Sequence, residues 1–153
     1  MSSHDFTVSQ AHWQQSKATL RAIRESVFII EQRVPKVLEW DDQDATALHV
    51  LAMNNSGNGI GTARITRAGQ IGRMAVLADW RNLGVGSALL LQLLQIARIR
   101  VQKPVFLNAQ QQAIPFYLRH GFHCVGEAFV EAGIPHQRME QDTKPQTAGQ
   151  ETS

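Results

Sequence analysis

Gly84 and Gly86 stand between an apolar run and a stretch of helical periodicity, and backbone amides gathered at such a junction can hold an anion. The run Ile71 to Leu77 reads as a buried strand. After Gly86 the set Leu89, Leu90, Leu93, Leu94, Ile96 and Ala97 recurs at helical spacing, so the glycines fall where a helix begins. First-turn amides have no partner inside a helix and lie at the positive end of its dipole. A phosphate placed against them therefore needs no dedicated side chain, and glycine permits the close approach.

Three phosphate-binding designs compete for this stretch. A nucleotide-hydrolysing loop ends in Gly-Lys-Ser/Thr, whereas Gly86 is followed directly by Ser87. A dinucleotide fingerprint needs a third small residue, where Leu89 stands, and an acid after the next strand, where Asn108 stands. Both fail. The third, Arg/Gln-x-x-Gly-x-Gly/Ala, fits Arg81-Asn82-Leu83-Gly84-Val85-Gly86 and resembles the pyrophosphate loop of the GNAT superfamily of acyl-CoA-dependent N-acyltransferases. A second block strengthens the likeness: Gln110-x-x-Ala113-x-x-x-Tyr117-x-x-x-Gly121-Phe122 is similar to the pattern that follows the fifth strand in that superfamily. The resemblance covers most of residues 16 to 139. Asn82 stands where glycine is commoner, and Gln110 where asparagine is usual.

The resemblance implies an α/β (α+β) fold with a mixed, mostly antiparallel central sheet, splayed at its fourth and fifth strands and flanked by helices. It implies an N-acetyltransferase that moves an acetyl group from acetyl-CoA to a primary amine of a small molecule or protein, by direct attack in a ternary complex. Met74, Ala75 and Val76 match the strand that pairs with pantetheine, and the Val76 amide matches the donor that polarises the thioester. Residues Arg81, Asn82, Leu83, Gly84, Val85, Gly86 and Ser87 would hold the diphosphate, with Arg81 as the nearest cationic side chain. Asn108, Gln110 and Ala113 would complete the cofactor site. Tyr117, the only tyrosine, matches the residue that gives a proton to the departing thiolate. The same tyrosine could instead pack a helix against the sheet. Glu31, His49 and His136 are the candidates for general base. The alternative is a non-catalytic acyl-CoA sensor using the same cleft.

Composition narrows the class further. With 153 residues, 43% hydrophobic and 18% charged, the chain suits one globular domain, expected over residues 1–140, with a mobile polar tail over 141–153. A net charge of +2 with scattered basic residues argues against a nucleic-acid partner. No membrane span or signal peptide is visible, so a cytoplasmic protein with no membrane partner is expected. Cys124 is the only cysteine, which excludes an intramolecular disulfide and reads as a small core residue. His4, His12, His120 and His123 lack the spacing of metal ligands, so no metal is expected. The acidic stretch Glu39, Asp41, Asp42 and Asp44 around Trp40 reads as a solvated loop, or as an attractor for a cationic amine. Superfamily habit suggests a homodimer paired through the late strands.

The elements that must position these groups follow from periodicity. Residues 6–8 read as a short strand, and a helix from N-cap Ser16 places Leu20, Ile23, Val27 and Ile30 on one face, bounded by Pro35. Residues 48–53, 60–66 and 70–77, separated by an Asn-Gly-rich turn over 54–59 and a second turn at Arg67-Ala68-Gly69, predict an antiparallel meander leading into the glycine loop. A helix over 84–100, a strand over 105–107, a helix over 114–120 ended by Gly121, and strands over 124–129 and 137–139 complete the reading.

Overall fold

The computed structural model of the protein describes residues 4–36, 40–101 and 103–141. The described residues form two compact units, divided between Lys103 and Pro104.

The first unit is built on an antiparallel meander: β1 (Phe6–Ala11), β2 (Leu48–Asn54), β3 (Gly59–Ile65) and β4 (Gln70–Val76), each paired with the next. Helix α1 (Trp13–Arg24) follows β1 after a single residue, and α2 (Val85–Arg100) follows β4. Both helices pack on the sheet, so β3 is buried at every position from Ile60 to Ile65 rather than alternately. Gly61 makes that approach possible. A Cβ there would lie 3.0 Å from Val85 Cγ1 and 3.1 Å from Leu89 Cδ1, closer than side chains normally sit. Leu20, Ile23 and Val27 join Ala11, Trp13, Leu51 and Ala75 in one apolar cluster.

Helix α1 begins earlier than its Ser16 signal suggests. The Gln15 and Ser16 amides donate to the His12 carbonyl at 3.1 and 2.9 Å, which makes His12 the cap and places Ser16 inside the helix. The buried Trp13 ring anchors this first turn. After Arg24 the helix widens into a π-helical segment, Glu25–Glu31, closed by the Gln32 amide on the Val27 carbonyl at 3.0 Å. Wider winding rotates successive side chains off the 3.6-residue stripe. Ile30, expected on the apolar face, is therefore 69% exposed.

The second unit is organised around β8 (Ile134–Gln141), which pairs antiparallel with β5 (Phe106–Gln110), β6 (Phe122–Cys124) and β7 (Phe129–Glu131). A short 3₁₀ turn (Gln111–Ala113) leads into α3 (Ile114–Leu118), which stops before Gly121 at φ 86°. The single strand expected over 124–129 is instead two strands. The link between them is held by the Gln137 side chain, whose Nε2 donates to the carbonyls of Val125 and Gly126, both at 3.0 Å. Cys124 is exposed on β6, not in the core. Of the expected tail only Gln141 is described, as the last residue of β8; 142–153 lie outside the described residues.

Candidate active site

In the first unit, β4 leads through a 3₁₀ turn (Ala78–Trp80) and the loop 81–84 into α2. Two residues of the loop are left-handed, Asn82 at φ 64° and Gly84 at φ 89°. Asparagine tolerates that region better than most side chains, which explains its presence where glycine would be easier. Gly84 caps the helix, and the Ala88 amide donates to its carbonyl at 3.1 Å. The amides of Val85, Gly86 and Ser87 thus come before the helix's own ladder, at the positive end of a sixteen-residue dipole. The Leu77 amide donates to the Ile60 carbonyl at 2.9 Å. Strand alternation then turns the amide and carbonyl of Val76 to the β4 edge away from β3.

Two sequence candidates meet here. Arg81 Nη1 and Nη2 each donate to the Glu31 carboxylate at 2.7 Å, and Arg81 Nε donates to the Val76 carbonyl at 2.9 Å. Hydrogen bonding from Arg81 holds the Glu31 carboxyl below its usual range against an opposing effect of burial, and Glu31 raises the Arg81 guanidinium in return. Beside this pair lies an open cavity of about 310 Å³ lined by Ser26, Glu31, Leu77, Ala78, Asp79 and Trp80. Its walls are the π-helical segment and the 3₁₀ turn. Ser26 carries no sequence signal of its own, because the widened helix turn that brings it here is invisible to a 3.6-residue pattern; Trp80 comes from the 3₁₀ turn after β4.

The acidic stretch is solvated only in part: Asp41 and Asp42 are exposed, Asp44 is not, and Glu39 lies outside the described residues. Asp44 is buried, and its Oδ1 accepts from Arg24 Nη1 at 2.8 Å and from Arg64 Nη1 at 2.7 Å. Asp41 accepts from Arg64 Nη2 at 2.8 Å and from Arg73 Nη2 at 3.1 Å. Arg73 sits at φ 51°, where the β3–β4 register slips. Trp40 offers its ring not to a ligand but to Arg21 and Arg24, whose guanidinium carbons lie 5.1 and 5.0 Å from its centroid. His49, weighed as a base, is 1% exposed, stacks on Trp13 at 5.0 Å and bonds through Nε2 to the Asp44 carbonyl at 2.9 Å. It is a structural residue.

This network carries a pH signature. Burial lowers the His49 imidazole below its ordinary 6.5, and hydrogen bonding from Arg64 lowers Asp41 from 3.8 to about 2. Both folded values lie below the unfolded ones, so each stabilising contribution is complete above the unfolded pKa and is lost as pH falls. For Asp41 a shift of this size corresponds to about 2 kcal/mol, which solvent screening of a partly exposed carboxylate reduces to about 1 kcal/mol. Urea midpoints are expected to be level above pH 7, to fall below pH 6.5 and to fall again between pH 4 and 2. A midpoint that rises on acidification from pH 7 to 5.5 would contradict the account of His49.

The second unit holds the remaining candidates. Tyr117 is 9% exposed, packed edge-on to Phe116 and Phe122 at 5.0 and 5.9 Å, and burial pushes its phenol up to about 12. His136 is buried, stacks on Phe129 at 5.9 Å, and places Nδ1 2.7 Å from the Ile134 carbonyl. A carbonyl can only accept, so Nδ1 carries the proton and neutral His136 keeps its lone pair on Nε2. Asn108 and Gln110 lie on β5, opposite Arg138 and His136, and Ala113 caps α3. The Gln110 side-chain oxygen accepts from Gln112 Nε2 at 2.8 Å. Among the described residues no three His, Cys, Asp or Glu side chains gather as a metal site.

A strand whose edge peptide turns outward, followed by a left-handed loop and a long helix, is an arrangement that can hold an anion, and comparisons with known proteins give the family. A family profile described as the acetyltransferase (GNAT) domain matches residues 11–143. A Bacillus subtilis protein named uncharacterized N-acetyltransferase YjcF is 36% identical over 123 residues, covering 78% of this chain and 88% of that one. The crystal structure of Escherichia coli ElaA aligns with a TM-score of 0.80 at 29% identity, over 90% of this chain and 99% of that one. An acyl-CoA N-acyltransferase from Pseudomonas aeruginosa aligns at 0.78 and 29%, with the same coverage. The chain belongs to the GNAT acetyltransferase family: it is an acyltransferase with a fold that binds acyl-CoA.

Proposed function

We propose that this chain transfers an acetyl group from acetyl-CoA to a primary amine of a small molecule or peptide. The observation that carries the reading is the loop geometry, in which Asn82 and Gly84 turn left-handed and the amides of Val85 to Ser87 precede the helix ladder. Residues present fit the diphosphate of CoA: a loop with left-handed turns, a helix dipole and no carboxylate within Arg81 to Ser87. Bound acetyl-CoA supplies a thioester.

The chain's own groups do the rest in this reading. Loop amides from Asn82 to Ser87 hold the diphosphate, and the outward edge of Met74, Ala75 and Val76 holds pantetheine. The Val76 amide orients toward developing negative charge on the thioester oxygen. Asn108, Gln110 and Ala113 complete the cofactor site. Tyr117, protonated throughout the physiological range, holds the proton destined for the thiolate. His136 is the better general base, since its lone pair lies on Nε2, whereas the lowered Glu31 carboxyl is the weaker one. We further propose that the protein works in the cytoplasm as a homodimer paired through its late strands, without a metal, nucleic acid or membrane. The near-balanced charge supports the absence of a nucleic-acid partner, and among the described residues no helix is long and apolar enough to cross a membrane.

A thiol-release assay with acetyl-CoA against aliphatic amines, polyamines and peptides tests the reaction. Release above hydrolysis is expected with at least one amine class. Tight CoA binding with no release across the whole screen would instead favour the sensor.

A further inference from the structure

We propose that the Arg81 side chain is a positioning residue that ties the wall of the acceptor cavity to the edge of β4, and is not a phosphate ligand. What it positions rests on the acyl-transfer reading above. Three of its five N–H groups are committed within the protein: Nη1 and Nη2 to the two oxygens of Glu31, both at 2.7 Å, and Nε to the Val76 carbonyl at 2.9 Å. The fork-on-fork match with Glu31 cancels its charge. A diphosphate would meet a neutral pair there, while unladdered amides lie a few residues on at Val85 and Gly86.

The ion pair joins two parts of the cavity wall. Glu31 closes the π-helical segment that forms one wall, and Arg81 directly follows the 3₁₀ turn Ala78–Trp80 that forms the other. The ion pair therefore sets how far apart the walls stand. The Nε bond holds the Val76 carbonyl, which belongs to the peptide that follows the one whose amide is assigned to polarise the thioester. A π-helical stretch of seven residues is a rare conformation, frequent at functional sites, and here it brings Glu31 to Arg81. Side chains 37% and 45% exposed add little to global stability, so the consequence of the tie is local order around the amine.

The test compares Arg81→Gln, Glu31→Gln and the double variant. Each single change is expected to raise the amine KM about tenfold, with kcat and CoA affinity within about twofold of the parent. The double variant should be no worse than the weaker single, because one interaction is lost only once. Arg81→Lys, a point charge without the fork, should restore the amine KM only in part. Additive single effects would overturn the proposal. So would an Arg81→Gln protein that binds CoA about tenfold more weakly yet binds acetyl-pantetheine, which lacks the diphosphate, as the parent does. The tie is also read without cofactor, from NMR exchange of the Arg81 Nε–H. Slow exchange in the parent and fast exchange in Glu31→Gln support it, and fast exchange in the parent overturns it. Failure of the parent to bind CoA or turn over any amine would sink the acyl-transfer reading but leave the NMR exchange result intact.

Discussion

Replacing Tyr117 with phenylalanine is expected to lower kcat about a hundredfold while leaving CoA affinity within twofold of the parent. The ring stays between Phe116 and Phe122, so packing is preserved and only the hydroxyl is lost. Burial raises the phenol to about 12, which has two opposite consequences. The proton is always available below pH 10, and the group is a weaker acid by about 3 kcal/mol for two pKa units. Transfer is therefore favourable only to a thiolate that is itself desolvated and made more basic. Steady-state kinetics with calorimetric CoA titration checks this. An unchanged kcat would return Tyr117 to a purely packing role.

Asp44→Ala is expected to cost about 3–5 kcal/mol of folding stability, a large share of the roughly 5–15 kcal/mol a domain commands. Its carboxylate faces two buried guanidinium groups, Arg24 at 1% and Arg64 at 5% exposure, and supplies the negative charge that lies between them. Alanine keeps the backbone carbonyl that accepts from His49, so the loss isolates the charge. Arg64 Nε is already buried without a partner among the described residues, which leaves the network little slack. Asp41→Ala should cost far less, about 1 kcal/mol, since water reaches that carboxylate. Urea unfolding measures both. A loss below about 1 kcal/mol for Asp44→Ala would mean that the arginines find other solvation, and that the network does not anchor the loop.

Features written in local spacing are legible in the sequence. The meander shows in apolar runs divided by glycine-bearing turns, and the anion loop shows because a Gly-x-Gly must sit where the strand ends and the helix starts. Gly84 at φ 89° is the physical reason the motif could be read at all. Features that depend on distant partners are not legible. Asp44 reads as surface charge until folding brings in Arg24 and Arg64, each twenty residues away. Ile30 reads as core until the helix widens, and the strand expected over 124–129 is split by Gln137, which lies beyond both pieces. Among candidate site residues, spacing finds Glu31 and Arg81 separately, but their pairing across fifty positions appears only in three dimensions.

The central claim is that the amides leading into α2 hold the diphosphate of an acyl-CoA. Calorimetric titration of the protein and of Gly84→Val with CoA tests it most directly. The account predicts saturable uptake by the parent and at least a tenfold weaker response from the variant, whose β-branched side chain cannot hold a left-handed turn without a cost of about 1–2 kcal/mol or more. No heat of binding from the parent at millimolar CoA, or equal binding by both proteins, would contradict it.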